Sequence, residues 1–220
     1  MYSFGERKDT SIVDEPFYAH YLNKTEADHP MREEVLKSQN ASFDAVVKKV
    51  YQAAYHKEHV FFKQMSHHMC GKLPTFAVND KNILLIREPK GMILSFTKII
   101  DSPTIEDLGL PSSVKLFHYF EENGHPPIVL DTAALSKNPK RTMQKLCAQL
   151  GLQFEKGMLR WKSGTRKEDG VWAKVWYLSL HKSTGLKVKK GPSMKLPEKY
   201  DALYRACLPY YSFLRERSIQ

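Results

Sequence analysis

The chain has 220 residues, 42% hydrophobic and 26% charged, which is enough for one substantial core and short for two full domains. No run approaches the roughly 18 apolar residues a membrane helix needs, and the amino end meets charge too early for a secretory leader. Three widely spaced cysteines without a Cys-x-x-Cys pair argue against a disulfide framework or a zinc knuckle, so a soluble, cytoplasmic single domain with reduced thiols is expected. The formal charge is +10, and residues 156 to 199 carry ten Lys and two Arg against Glu168, Asp169 and Glu198. Such a segment suits a polyanionic partner or forms a solvated lysine-rich face.

Four short apolar or β-branched runs recur along the chain, at 10–13 ("TSIV"), 59–62 ("HVFF"), 82–86 ("NILLI") and 127–130 ("PIVL"). With amphipathic stretches between them, they predict an α/β fold with a parallel sheet and helical crossovers. Between the first two, Ser42 is placed to cap a helix reaching about His56, with Phe43, Val46, Val47 and Val50 on one stripe. After the third, Pro89 suits a first helical turn, and "PKGMILSFTKII" can continue as helix. Ser112 or Ser113 can start the next helix. After the fourth run, Pro139 opens and Gly151 closes a helix carrying Met143, Leu146, Cys147 and Leu150. The segment 187–197 reads as a loop and a candidate lid. A last helix carries Leu203, Ala206, Cys207, Tyr210 and Leu214, and Pro209 is expected to kink or split it.

Arg87 follows the run "NILLI" directly, and Ser95 lies eight residues later on the expected helix. In open parallel sheets, ligands sit outside the carboxyl ends of the strands, where helix amino ends point free N–H groups. A guanidinium fork and a hydroxyl beside a helix start make a phosphate site; the alternative is an arginine paired with Glu88 or Asp131.

"REPKGMILSF" resembles the 3′-phosphate-binding element of the P-loop sulfotransferases, in which a strand, an Arg and a Ser occur in this order. "YSFGERKDTSIVDEPFYAHYL", "FFKQMSHHM", "FEENGHPPIVLDT" and "KEDGVWAKVWYLSLHKSTGL" resemble a sulfotransferase-like group sometimes labelled aminotransferase-like. That resemblance implies a three-layer α/β sandwich with a central parallel sheet, nucleoside-kinase-like, over 1–220. It also implies 3′-phosphoadenosine 5′-phosphosulfate as donor co-substrate, without a metal. The family's first strand and its Ser/Thr-rich 5′-phosphosulfate loop precede the helix that "MYSF" resembles. The expectation is therefore a domain lacking that strand at its amino end, with a sheet edge exposed.

Sulfuryl transfer needs a base on the acceptor and positive charge on the leaving bisphosphate. Glu15 is the leading candidate base, with Asp14 as its neighbour rival and a helix-start carboxylate as the plain alternative. The resemblance matches Lys63 to a transition-state lysine; Met65 occupies the family's histidine position, and His67, with His68 beside it, is taken for that role instead. A metal reading of His67, His68 and Cys70 is weaker, because adjacent helical residues diverge by about 100°. Arg166 and Lys167 loosely fit the family's basic loop over the 3′-phosphate. Trp172, Trp176 and Tyr177 read as core or as cofactor-stacking residues.

The sequence thus points to sulfuryl transfer from a nucleotide donor to a small hydroxyl or amine acceptor. A catalytically inactive nucleotide-binding or scaffold protein of the same fold is the alternative, and a nucleic-acid partner is not expected.

Overall fold

The computed structural model describes residues 1–188 and 195–219. In chain order come α1 (Tyr2–Gly5), β1 (Thr10–Asp14), α2 (Tyr18–Thr25), α3 (Arg32–Ser38), α4 (Phe43–Val46) and β2 (His59–Lys63). There follow β3 (Ile83–Ile86), α5 (Pro89–Phe96), α6 (Leu110–Glu122), β4 (Ile128–Asp131), α7 (Thr132–Lys137) and α8 (Pro139–Leu150). Two single-turn helices, α9 (Ala173–Trp176) and α10 (Leu178–His181), precede α11 (Asp201–Glu216). Of the lid expected at 187–197, residues 189–194 lie outside the described residues.

The chain divides into two compact units. The first comprises residues 1–72 and 155–185, the second residues 73–154 and 186–220. Each contains one parallel strand pair. In the first unit Ile12 lies opposite Phe61 and Asp14 opposite Lys63; in the second Leu84 lies opposite Val129 and Ile86 opposite Asp131. All four strands fall on the four apolar runs, and both pairs are joined by helical crossovers, as parallel pairing requires. The described architecture is therefore mixed α/β with two small parallel sheets.

The first unit buries Tyr18, Leu22, Val35 and Trp172 in one cluster. In the second, Leu84, Ile86, Phe117, Val129 and Leu214 form one cluster and Ile93, Leu108, Leu110 and Cys207 another. Burying one such aliphatic side chain contributes about 1.5–3 kcal/mol. None of the three cysteines is in a disulfide; Cys147 and Cys207 are buried and Cys70 is half-buried.

Several helix limits differ from those read in the sequence. Ser42 does cap its helix, its hydroxyl accepting from Ala45 N at 3.4 Å. The helix then widens into a π turn over Val47–Tyr51 and stops there rather than near His56. Tyr51 is stacked on Phe62 at 4.0 Å, a tertiary contact that local propensity does not encode. The helix expected from Ser112 starts at Leu110, because Pro111 occupies its first turn and Gly109 precedes it with φ 70°. α5 ends at Phe96, where Thr97 turns both its N–H and its hydroxyl back onto Ile93 O. α11 runs through Pro209 as one element, held by its buried face of Cys207, Tyr211 and Leu214. Pro139 and Gly151 bound α8 as expected, with Gly151 at φ 75°.

Candidate functional site

The parallel register of β1 and β2 brings Asp14 opposite Lys63 at the carboxyl ends of both strands, and Glu15 is the next residue. Glu15 has φ 38°, a left-handed conformation that costs a non-glycine residue about 1–3 kcal/mol. Its backbone is held on both sides: Glu15 N–H donates to Lys63 O at 2.8 Å, and Glu15 O accepts from Tyr18 N and from the Gln39 side chain. The strained turn aims the Glu15 side chain onto the ammonium of Lys63, with which it forms a close ion pair.

Around this pair a buried polar cluster closes. Tyr177, in the turn between α9 and α10, donates its hydroxyl to Asp14 Oδ1 at 2.8 Å and lies 3.2 Å from Glu15 Oε1. The Tyr177 hydroxyl oxygen in turn accepts from Lys63 Nζ at 2.9 Å. Gly170 N–H donates to Asp14 Oδ2 at 3.3 Å, and Lys63 Nζ stands 3.8 Å from Asp14 Oδ1. The Glu15 side chain is 7% exposed and that of Asp14 1%, whereas the Lys63 side chain keeps 26% exposure.

Burial sets the proton affinities. It pushes the Asp14 carboxyl up, against the opposing pull of Lys63 and the Tyr177 hydroxyl. It raises the Tyr177 phenol far above its ordinary value, with Asp14 adding to the effect, so Tyr177 stays a neutral donor. Burial also draws Lys63 down to about 8, partly offset by Asp14. The cluster thus combines two carboxylates, a lysine that can lose its proton near physiological pH, and a fixed phenol.

His68 comes closer to Glu15 than sequence spacing alone indicates. Its Nδ1 lies 3.9 Å from Glu15 Oε2, and its ring is stacked against both Tyr18 and Tyr21 at 4.8 Å from each. Burial, then the neighbouring His67 and Lys63, holds it well below the ordinary histidine value, in the neutral form. His67, half-buried, meets the Tyr21 ring edge-on at 5.1 Å.

Arg166 is half-buried, lies over the Tyr2 ring at 4.3 Å and forms a close ion pair with Glu6. Lys167 is solvent-exposed beside Glu168. In the second unit, Arg87 leaves β3 as an exposed residue, and Ser95 is exposed on α5. Arg87 forms no ion pair with Glu88 or Asp131. Glu88 instead caps α5 through Gly91 N at 3.1 Å, while Asp131 accepts from Ala133 N and from the Tyr211 hydroxyl.

Tyr177 and Gly170 are the members of the cluster that sequence reading did not assign to it. Both contact Asp14 from more than 150 residues away, so no local spacing reports them.

The family model described as sulfotransferase domain matches residues 1–218. Two Arabidopsis thaliana proteins are similar over almost the whole chain. Branched-chain-amino-acid aminotransferase-like protein 1 is 39% identical over 217 residues, covering 98% of this chain and 39% of that protein. Branched-chain-amino-acid aminotransferase-like protein 2 is 35% identical over 216 residues, covering 98% of this chain and 38% of that protein. The chain therefore spans about two fifths of the length of these relatives. No solved structure matches. Among the described residues no helix is long and apolar enough to cross a membrane.

Proposed function

The chain belongs to the sulfotransferase-domain family, and from that premise we propose that it moves a sulfuryl group from 3′-phosphoadenosine 5′-phosphosulfate to a hydroxyl or amine of a small acceptor. The fold proposed with it is the P-loop, nucleoside-kinase-like sandwich of that family. Glu15 serves as base: its carboxylate takes the acceptor proton as the acceptor oxygen or nitrogen bonds to sulfur. The bond from sulfur to the bridging oxygen breaks at the same time, and adenosine 3′,5′-bisphosphate leaves. Lys63, positive below about pH 8, neutralises charge that develops on the transferred group and leaving oxygen. His68, neutral and with Nδ1 3.9 Å from Glu15 Oε2, is the better placed of the two histidines to orient that carboxylate; His67 is the other candidate.

On the donor side, Arg87 and Ser95 grip the 3′-phosphate. What supports this is an exposed guanidinium at the carboxyl end of a parallel strand, paired with no carboxylate among the described residues, followed by a helix that opens on Pro89. Arg166 and Lys167 are proposed as further donor contacts. Arg166 would first have to exchange its Glu6 partner for phosphate.

The observation that carries the reading is the Glu15–Lys63 ion pair, built on a left-handed backbone at the ends of two parallel strands. Backbone strain of this kind concentrates where a side chain must point one way for chemistry. Glu15→Gln keeps the shape and removes the base. In an assay that follows release of adenosine 3′,5′-bisphosphate from the donor, it should lower kcat by about 10²–10⁴-fold. A kcat equal to wild type would remove Glu15 from the mechanism.

A further inference from the structure

The second unit contains a cavity of about 620 Å³ that the donor and acceptor assignments above do not use. Its lining includes Asp131, Lys137, Arg141, Lys145, Arg215 and Ser218, and does not include Arg87 or Ser95. Four cations face one carboxylate. That carboxylate is already engaged, Oδ1 by Ala133 N at 2.8 Å and Oδ2 by the Tyr211 hydroxyl at 2.9 Å. Lys137, Arg141 and Arg215 form no ion pair among the described residues.

The sequence around the cavity is as one-sided as its lining. From Thr132 to Leu150 the chain carries Lys137, Lys140, Arg141 and Lys145 and no acid at all. Solvated helices ordinarily intersperse both signs, and like charges one turn apart, such as Arg141 and Lys145 on α8, repel each other. A bound anion would offset that repulsion. The walls are also fixed. Asn138 caps α8 by accepting from Arg141 N, Thr142 donates its hydroxyl to Ala134 O, and Ile219 N–H donates to Val129 O, tying the tail bearing Ser218 to β4. The amino end of a twelve-residue helix adds its partial positive charge at the same place.

We propose that this cavity binds a small molecule carrying two or more phosphate or sulfate groups, at a site separate from the donor element at Arg87 and independent of whether the chain transfers sulfate. The volume lies within the range of roughly 300–1,000 Å³ usual for small-ligand pockets. Two adjacent dianionic groups match cations supplied from α7, α8 and α11, whereas one phosphate would leave part of the set unanswered.

Calorimetric titration of the full chain tests this with pyrophosphate, ADP, a heparin-derived disaccharide and inorganic phosphate. Pyrophosphate together with ADP, or the disaccharide, should bind, and bind more tightly than inorganic phosphate; which of them does so identifies the phosphorylated or the sulfated source. The pair Arg141→Gln and Lys145→Gln should weaken binding at least about tenfold, the loss of charge-assisted contacts. Arg141→Lys with Lys145→Arg should retain it, and Arg87→Ala should leave it unchanged. The proposal is overturned if none of the multiply charged probes binds, if the Gln pair binds them as wild type does, or if Arg87→Ala produces the same loss. It is equally overturned if a short single-stranded oligonucleotide displaces every probe with a steep salt dependence, since the cavity would then be part of a nucleic-acid surface.

Discussion

Tyr177 donates its hydroxyl to Asp14 Oδ1 at 2.8 Å, joining residues 163 positions apart through one buried hydrogen bond. Because the same oxygen accepts from Lys63, removing it leaves a buried carboxylate and an ammonium each short of a partner. Tyr177→Phe should therefore cost about 1–3 kcal/mol of stability, read as a lower midpoint in urea unfolding. A variant as stable as wild type would mean the hydroxyl is not holding the cluster together.

Lys63 gives a pH dependence with a definite sign. Its folded value of about 8 lies below the ordinary 10.5, so between these values the unfolded chain binds the proton that the folded chain has released. Stability contributed by this group therefore rises with pH from about 8 upward, and Lys63→Met should abolish that rise. Urea midpoints of the two proteins, compared from neutral pH to just above pH 9, measure it. The same titration predicts that transfer activity falls above about pH 8, and that Lys63→Arg, which stays charged, pushes that limb to higher pH.

Asp9 gives a pH dependence of the same sign at the acid end. Hydrogen bonds from the buried Arg7 guanidinium, at 2.6 and 3.0 Å, hold its carboxyl below the ordinary 3.8. The stability from this pair is complete above about pH 4, and it is lost as the pH falls through the lower folded value. Arg7→Gln should flatten that acid limb in a plot of unfolding midpoint against pH.

Gly170 is a steric prediction. A Cβ there would come within 2.1 Å of the Trp172 ring, which is 2% exposed and cannot simply swing into water. Gly170→Ala should cost about 1–3 kcal/mol through overpacking. Because Gly170 N–H also donates to Asp14, the near-ultraviolet signal of Trp172 and the transfer activity should change together.

The strands and α8 were legible because their signals are local: four apolar runs for β1 to β4, Pro139 and Gly151 at the two ends of a helix. The sequence also put Glu15 and Lys63 at strand ends, and parallel register makes them neighbours. What it could not supply was long-range. Tyr51 ends its helix by stacking on Phe62, α11 carries Pro209 without a break because its buried face holds it, and Tyr177 reaches Asp14 from the far end of the same unit. The basic segment at 156–199 drew attention by charge alone, yet the cavity with a cationic lining is built mainly from residues 131–145. Count along the chain does not say which cations converge.

The donor assignment rests on Arg87, and titration with adenosine 3′,5′-bisphosphate tests it most directly. If the guanidinium makes a bidentate contact to the 3′-phosphate, Arg87→Ala should lose about 1.5–3 kcal/mol, roughly one to two decades in affinity, with Ser95→Ala losing less. Equal affinity for wild type and Arg87→Ala would contradict the account, because the bisphosphate would then be held elsewhere.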